Sequence, residues 1–310
     1  MNPRRLSLLF LVFLLLAAPG CAPLTTTQTV TPAQTQPSTP VPAHPTPLPF
    51  VSTSTPLSTP TDTLKTAVPG QLHPILVFPP YDSSGGFLLG AVKDGLWLVA
   101  DDAAALLPAQ QTYALYSSQA HQGSAAGGEP VEEPICPSFW SVPIEYPAGL
   151  AAAVGADWDA LPRIPQEVEI NDPQAAQQVR DFLTAQGITQ PEVKVQRILQ
   201  VDLEGDGVLE FLVAASRFTE VTGHDVTPGD YSIILLYRAG QKALPVVSTW
   251  YTQAAPLSFP DRYGLSAVLD LNGDGRLEIL VEITGWEKTG AQAYTLEGAA
   301  MQKVLQARCP

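Results

Sequence analysis

The stretch LDLNGDGRLEILV at residues 269–281 repeats, with few changes, the stretch VDLEGDGVLEFLV at residues 201–213. In each copy an apolar segment runs into an acidic turn that contains glycine, and a second apolar segment runs out of it. Apolar segments of this length, rich in Val, Ile, Leu and Phe, are typical of buried strands. The two stretches therefore predict two β-hairpins of the same kind within one chain.

Both turns place oxygen-bearing groups at alternate positions. Counted from the first Asp of each copy, positions 1, 3, 5 and 9 carry side-chain oxygens, position 7 offers a main-chain carbonyl and position 6 is Gly, which matches the first half of an EF-hand calcium loop. The first turn offers Asp202, Glu204, Asp206, the carbonyl of Val208, and Glu210; the second offers Asp270, Asn272, Asp274, the carbonyl of Arg276, and Glu278. The pattern predicts one or two Ca²⁺ ions as cofactor.

The segment that follows each turn differs from an EF-hand. Position 12, where the EF-hand has a bidentate Glu, is Val213 in one copy and Val281 in the other. The segment that leaves each turn has the composition of a strand, whereas an EF-hand loop continues into a helix. The pattern Asp-x-Asn-Gly-Asp-Gly-x-x-Glu before an apolar strand resembles the calcium-binding hairpin of the FG-GAP/VCBS repeat family, which occurs in integrin-like β-propellers and bacterial surface proteins. The resemblance implies a calcium ion inside a β-turn loop, with the position-9 carboxylate completing its coordination. Two copies are too few for a seven-bladed propeller.

The alternative interpretation is that Asp, Asn and Gly simply form tight turns. The charge of the first copy argues against it. Asp202, Glu204, Asp206 and Glu210 fall within nine residues that contain neither Lys nor Arg. Crowded carboxylates repel one another and raise one another's pKa values, and a divalent cation would remove that repulsion.

The remainder of the chain predicts a mainly β fold with one helix (α+β). Residues 191–310 contain eight strand-like segments, which predict two antiparallel β-meander units, each with one calcium-type loop. Residues 71–190 predict a β-rich N-terminal subdomain with a hairpin around Asp94-Gly95, a strand at 112–117 and an exposed loop at 121–134. The helix is predicted at 172–187, where Asn171 or Asp172 can cap it and Gly187 can end it.

The N-terminal region predicts export and anchoring. Residues 1–21 combine a basic start with an apolar run, Leu6 to Ala18, that is too short to cross about 30 Å of hydrocarbon as a helix, so they read as a signal peptide. The stretch AAPGC resembles a bacterial lipobox, which implies lipid attachment at Cys21; the alternative is an ordinary signal peptide with an incidental cysteine. Residues 22–70 are rich in Thr, Pro and Ser and predict a disordered stalk. We therefore expect a bacterial lipoprotein on the extracytoplasmic face of the cell membrane.

Charge and cysteine content restrict the partners and the compartment. A net charge of −14 argues against nucleic acid and against anionic lipid headgroups as partners. Beyond Cys21 the chain has only Cys136 and Cys309. In an oxidising compartment two such cysteines are expected to form a disulfide.

No familiar catalytic motif occurs in the sequence. A Gly-x-Ser-x-Gly elbow, a His-Glu-x-x-His helix and a Walker loop are all missing, which favours a binding or structural module. The alternative is a secreted cell-surface hydrolase whose catalytic residues follow none of these patterns. Carbohydrates are one substrate class for such a hydrolase. The sequence is compatible with either a protein or a carbohydrate as the binding partner. Core packing is the favoured interpretation of the tryptophans. A sugar-stacking surface is the alternative, and Trp140 and Trp158 are the better candidates for exposure in that case.

Overall fold

The predicted strand segments form three antiparallel sheets. The structure is a computed structural model that describes residues 69–78, 85–219 and 223–309, so the predicted signal peptide, Cys21 and nearly all of the predicted stalk lie outside the described residues. The strands are β1 (Leu72–Val77), β2 (Gly86–Lys93), β3 (Leu96–Val99), β4 (Gln111–Tyr116), β5 (His121–Gly127), β6 (Val131–Glu132), β7 (Trp140–Val142), β8 (Ala152–Val154), β9 (Gln166–Val168), β10 (Val195–Val201), β11 (Glu210–Arg217), β12 (Tyr231–Arg238), β13 (Leu244–Trp250), β14 (Arg262–Leu269), β15 (Glu278–Gly285), β16 (Lys288–Glu297) and β17 (Ala300–Cys309). The helices are α1 (Ala100–Ala104) and α2 (Pro173–Ala185).

Two of the sheets are meanders. Sheet 1 has the order β5-β4-β8-β1-β2-β7-β6, with β3 also paired to β2. Sheet 2 has the order β13-β12-β11-β10-β9, and sheet 3 has the order β14-β15-β16-β17. Five successive strands of sheet 2 and four successive strands of sheet 3 pair with their chain neighbours. The prediction of a mainly β fold with antiparallel meanders in two repeat-like units is therefore confirmed, and the described residues form no closed propeller.

Sheet 3 is buried on both faces. Along β15, Ile279 and Val281 pack with residues of sheet 2, whereas Leu280 between them packs with residues of sheet 1. Successive side chains of a strand point to opposite faces, so a strand segment packed between two sheets is apolar on both faces. This explains why the residues ILV at 279–281 follow one another without an alternating polar position.

Sheet 2 is also covered on both faces. Leu212 of β11 packs toward sheet 3, and the adjacent Val213 packs with α2. Helix α2 begins after Asp172, whose carboxylate accepts a hydrogen bond from the Ala175 N–H at 2.7 Å. Its buried residues include Val179 and Phe182. The helix predicted at 172–187 is thus confirmed. It packs on sheet 2, and β9 pairs with β10 at the edge of that sheet.

Two local predictions for sheet 1 are wrong. The segment 121–134, predicted as a loop, contains the edge strands β5 and β6. Most of their side chains are exposed, so the segment has no apolar pattern, and main-chain pairing with β4 and β7 alone makes it a strand. The prediction of one helix also missed α1. This single helical turn follows β3 directly and buries Ala100, Ala103 and Ala104 against sheet 1.

A cysteine pair connects sheet 1 with sheet 3. The sulfur atoms of Cys136 and Cys309 lie at disulfide distance, and their Cα atoms are 5.2 Å apart. Cys136 precedes β7, and Cys309 ends β17. The predicted pairing is therefore present, and it closes a loop with a sequence separation of 173.

The Cys136→Ala, Cys309→Ala variant should lose about 4 kcal/mol of unfolding free energy, since a crosslink across a long loop restricts the unfolded chain. Urea unfolding with and without reductant measures the loss. Reductant should destabilise the wild type and leave the double variant unchanged. Two titratable thiols in the folded, unreduced wild type would contradict the crosslink.

Candidate functional site

The two predicted loops lie side by side at the same end of their meanders. Loop one (residues 202–210) joins β10 to β11, and loop two (residues 270–278) joins β14 to β15. The Leu277 N–H donates to the Leu203 carbonyl at 2.9 Å. The Arg276 Nη2 also donates to Glu204 Oε1 at 2.8 Å. The two repeats of the motif are therefore in direct contact.

The first Asp of each loop organises the turn. In loop one, Asp202 accepts the N–H groups of Gly205 at 2.7 Å and Gly207 at 2.9 Å. In loop two, Asp270 accepts those of Gly273 at 2.7 Å and Gly275 at 3.0 Å. These bonds satisfy main-chain donors that a tight turn cannot pair internally.

The Glu at position 9 of each loop is buried at its base. Both Glu210 and Glu278 have 0% exposure. Each uses Oε2 to accept the position-2 N–H, from Leu203 at 2.9 Å and from Leu271 at 2.8 Å. The two loops therefore share one internal hydrogen-bond pattern.

The segment Trp158–Arg163, here called the strap, crosses both loops. The Trp158 Nε1 donates to the Asp270 carbonyl at 2.9 Å, and the Ala160 carbonyl accepts the Asp270 N–H at 2.8 Å. Arg163 donates from Nε to the Asp202 carbonyl at 2.6 Å, and from Nη2 to the Gly275 carbonyl at 2.7 Å. The strap thus holds the two loops together.

The strap also explains the glycine at position 4 of each loop. Gly205 and Gly273 have φ values of +73° and +76°, which favour glycine. A Cβ at Gly205 would lie 3.2 Å from the Arg163 guanidinium, and one at Gly273 would lie 3.1 Å from the Trp158 indole. Both the backbone angle and the close approach of the strap therefore select glycine.

Two carboxylates of loop one, Glu204 and Glu210, are paired with arginines that lie outside the nine residues of the loop. Arg238 donates from Nε to Glu210 Oε1 at 2.7 Å, and its Nη2 contacts Glu204 Oε2. Arg276 reaches the other oxygen of Glu204. The motif itself contains no basic residue in this copy, so the repulsion predicted from sequence is relieved by residues outside it.

Among the described residues, no arginine or lysine forms an ion pair with a carboxylate of loop two. Glu278 Oε1 is a buried acceptor without any hydrogen-bond donor among the described residues. Asp270 is 2% exposed, and burial is the main cause that raises its pKa to about 6. Burial also raises the pKa of Glu278 well above its ordinary range, and the nearby Asp274 and Asp270 charges add to the effect. An ionised buried carboxylate is unfavourable unless a cation or donors compensate it.

Hydrogen bonds within each loop engage several of the predicted ligand side chains. Within the part of the chain that the structure describes, no three His, Cys, Asp or Glu side chains form a metal-holding group. In loop two, the Asp274 Oδ2 accepts from Asn272 Nδ2 at 3.1 Å, while Oδ1 accepts the Arg276 N–H at 2.8 Å. In loop one, Asp206 Oδ1 accepts the Val208 N–H at 2.9 Å. Most predicted side-chain ligands therefore hydrogen-bond within their own loop.

The main contributors that sequence reasoning missed are the strap and Arg238. Trp158 and Arg163 lie 112 and 39 residues from the Asp whose carbonyl each one binds, and nothing in the local sequence points to them. Arg238 could have been found from register, because it lies directly opposite Glu210 when β11 and β12 pair as a hairpin.

Trp158, a candidate for exposure under the sugar-stacking alternative, is 6% exposed and lies beneath loop two, which agrees with core packing. Trp140 is half-buried, and its Nε1 donates to Asp101 Oδ1 at 2.7 Å. Trp286 is the more exposed ring, at 42%, and it packs edge-on against His224. Neither of the tryptophans expected from sequence forms an open stacking platform.

A small cavity lies between sheets 1 and 3. Its volume is about 20 Å³, which is room for about one water molecule. Phe78, Phe87 and Phe139 line one side, and Glu282 is the one carboxyl among its described lining residues. A pair of converging carboxylates, as a glycosidase needs, does not line this cavity.

Comparisons with protein-family models, with characterised proteins and with solved structures each give no match for this chain. Neither helix in the described part of the chain is long and apolar enough to cross a membrane.

The raised pKa of Asp270 has a consequence for metal-free protein. Because its folded pKa of about 6 exceeds the unfolded value near 3.9, the folded state binds more protons between these values. Stability from this group is therefore fully present below about pH 4 and is lost as pH rises through about 6. Urea unfolding of metal-stripped protein from pH 4 to 7 should show a smaller decline in Asp270→Asn than in the wild type. Equal slopes in both proteins would contradict the assignment.

Proposed function

We propose that this protein is a lipid-anchored, extracytoplasmic β-rich module without catalytic activity, stabilised by calcium at loop two. The observation that supports calcium most strongly is the unpartnered Glu278 Oε1, fully buried at the base of an acidic loop. Native proteins rarely leave a buried acceptor unpaired, and a bound ion is one of the few explanations. A hard cation that prefers oxygen ligands fits this acceptor.

The groups that would hold the ion are those of the sequence pattern: the side chains of Asp270, Asn272, Asp274 and Glu278, with the carbonyl of Arg276. All are oxygen donors, and three of them carry carboxylates. When bound, the ion would neutralise charge that the protein otherwise buries. The chain's own contribution is to hold the loop in place, since the strap fixes both the N–H and the carbonyl of Asp270.

The repeat-like architecture supports the FG-GAP/VCBS resemblance. Each meander carries its loop between its first and second long strands, at β10–β11 and at β14–β15. The two meanders also pack face to face through one apolar layer. Such packing places each loop at the edge of a rigid core. An ion bound there can stabilise the fold rather than take part in catalysis.

The cavity between sheets 1 and 3 offers no support for a glycosidase, because Glu282 is the one carboxyl among its described lining residues and a glycosidase needs a pair. The acidic surface also supports a partner other than nucleic acid, and the membrane contact would come from lipid at Cys21.

Calcium should raise the melting temperature of the wild type by several degrees, since an ion at 100 times its Kd stabilises by about 2.7 kcal/mol. Kd values around 10⁻⁴–10⁻³ M are typical of extracellular modules. Glu278→Gln keeps the shape and the acceptor for Leu271 but removes the charge. It should abolish the calcium response without lowering the melting temperature in chelator at pH 7. Differential scanning calorimetry with calcium, magnesium or chelator provides the measurement.

The matched control is Asp181→Ala, which removes an exposed carboxylate from α2 and should keep the full response. Asp274→Ala should lose most of it. Magnesium should substitute poorly because it requires a tighter octahedral shell. If neither calcium nor chelator changes the melting temperature of the wild type, loop two is an ordinary turn and the calcium proposal is wrong.

The anchor prediction concerns Cys21. Acyl chains on this residue would each add about 0.8 kcal/mol per buried methylene, so wild-type protein should fractionate with membranes until detergent is added. Cys21→Ser should appear in the soluble fraction or stay unprocessed, and Cys136→Ser should still fractionate with membranes. Mass spectrometry that finds an intact, unmodified Cys21 in soluble wild-type protein would overturn the anchor.

A further inference from the structure

The two loops have the same backbone pattern but differ in how their buried Glu is compensated. Glu210 and Glu278 each use Oε2 for the position-2 N–H. The second oxygen of Glu210 accepts Arg238 Nε at 2.7 Å, whereas the second oxygen of Glu278 accepts no hydrogen bond from any described residue. A guanidinium therefore compensates the buried Glu of loop one, and no described guanidinium does so in loop two.

The difference originates at one register position of the neighbouring strand. In sheet 2, Glu210 lies opposite Arg238. In sheet 3, Ile279 lies opposite Tyr294, so the residue in register with Glu278 is Thr295. Thr carries no charge. The two meanders therefore place a cationic and a neutral residue at equivalent positions.

The residues at position 3 of the two loops also differ in charge and in their contact with arginine. Glu204 in loop one extends to Arg238 and Arg276, one oxygen to each. Asn272 in loop two is shorter and neutral, and it hydrogen-bonds only to Asp274 within its own loop. The longer acid, which fits a calcium shell less well, is the one that reaches the arginines.

The single arginine of loop two serves loop one. Arg276 Nη2 donates to Glu204 Oε1 at 2.8 Å and to the Leu296 carbonyl at 2.6 Å. The charge of this arginine is therefore directed away from Glu278. Loop one has two guanidinium groups on its carboxylates, and loop two has none on its own.

We infer that the two copies have diverged: loop one is held permanently by Arg238 and Arg276, and only loop two takes a divalent cation. This inference rests on the proposed calcium site. It assigns a stoichiometry of one ion per chain and makes Arg238 an internal substitute for the metal. It also explains why position 3 can be Glu in one copy and Asn in the other.

The test counts calcium bound per chain by equilibrium dialysis against calcium chloride. The wild type should bind one ion, and Glu278→Gln should bind none. Adding Arg238→Thr to Glu278→Gln, which places the residue of sheet 3 at the equivalent position of sheet 2, should restore one ion, now at loop one. The matched control is Glu278→Gln with Arg308→Thr. Arg308 is 30% exposed and Arg238 is 31% exposed, and Arg308 also makes a two-bond ion pair, with Asp261. This control should bind none.

The reciprocal variant keeps the inference testable if loss of Arg238 prevents folding. Thr295→Arg places a guanidinium in register with Glu278 and should lower bound calcium from one ion to none. Its melting temperature in chelator should equal or exceed that of the wild type, because the new guanidinium compensates the charge of Glu278 as the metal would.

The outcomes separate the inference from the proposed function. A wild type that binds one ion, together with a Glu278→Gln, Arg238→Thr protein that binds none, would overturn the divergence while leaving the calcium site at loop two. Two ions in the wild type, or undiminished binding in Thr295→Arg, would also overturn it. A wild type that binds no calcium overturns both.

Discussion

A buried glutamate at the start of the second long strand is the constraint that shapes each meander. Glu210 and Glu278 are both fully buried, and each turns one oxygen back to a loop N–H. The other oxygen needs a cation or a hydrogen-bond donor, because a buried carboxylate without compensation is costly. Loop one has an arginine for this purpose, and the described residues place none beside Glu278 of loop two. The difference between the two copies follows from this one requirement.

The strap ties the base of these loops to the core, while the tip of loop one and Asp274 stay exposed. Trp158 lies under Gly273 and binds the Asp270 carbonyl, while Arg163 binds carbonyls of both loops. The strap follows the last strand of sheet 1, so the conformation of the loops is coupled to the contact between sheet 1 and sheet 3. A stabilising ion at loop two would therefore act on the whole described fold.

The strands that could be predicted are those buried on both faces. Apolar runs such as LEFLV and LEILV identify β11 and β15 because each packs between two layers. The edge strands β5 and β6 were missed, since their side chains are exposed and only main-chain bonds define them. Helix α1 was missed because a single turn of alanines has no periodic signal.

The sequence by itself determined the two acidic turns, their glycines and the position-9 glutamates, because these depend on contacts within nine residues of chain. Only the tertiary structure decided how each turn is neutralised. Arg238 pairs with Glu210 through strand register, and the side chain of Arg276 leaves its own loop for Glu204. Local composition records how many charges a turn carries. Which cation lies beside a buried carboxylate depends on the packing of strands that are distant in sequence.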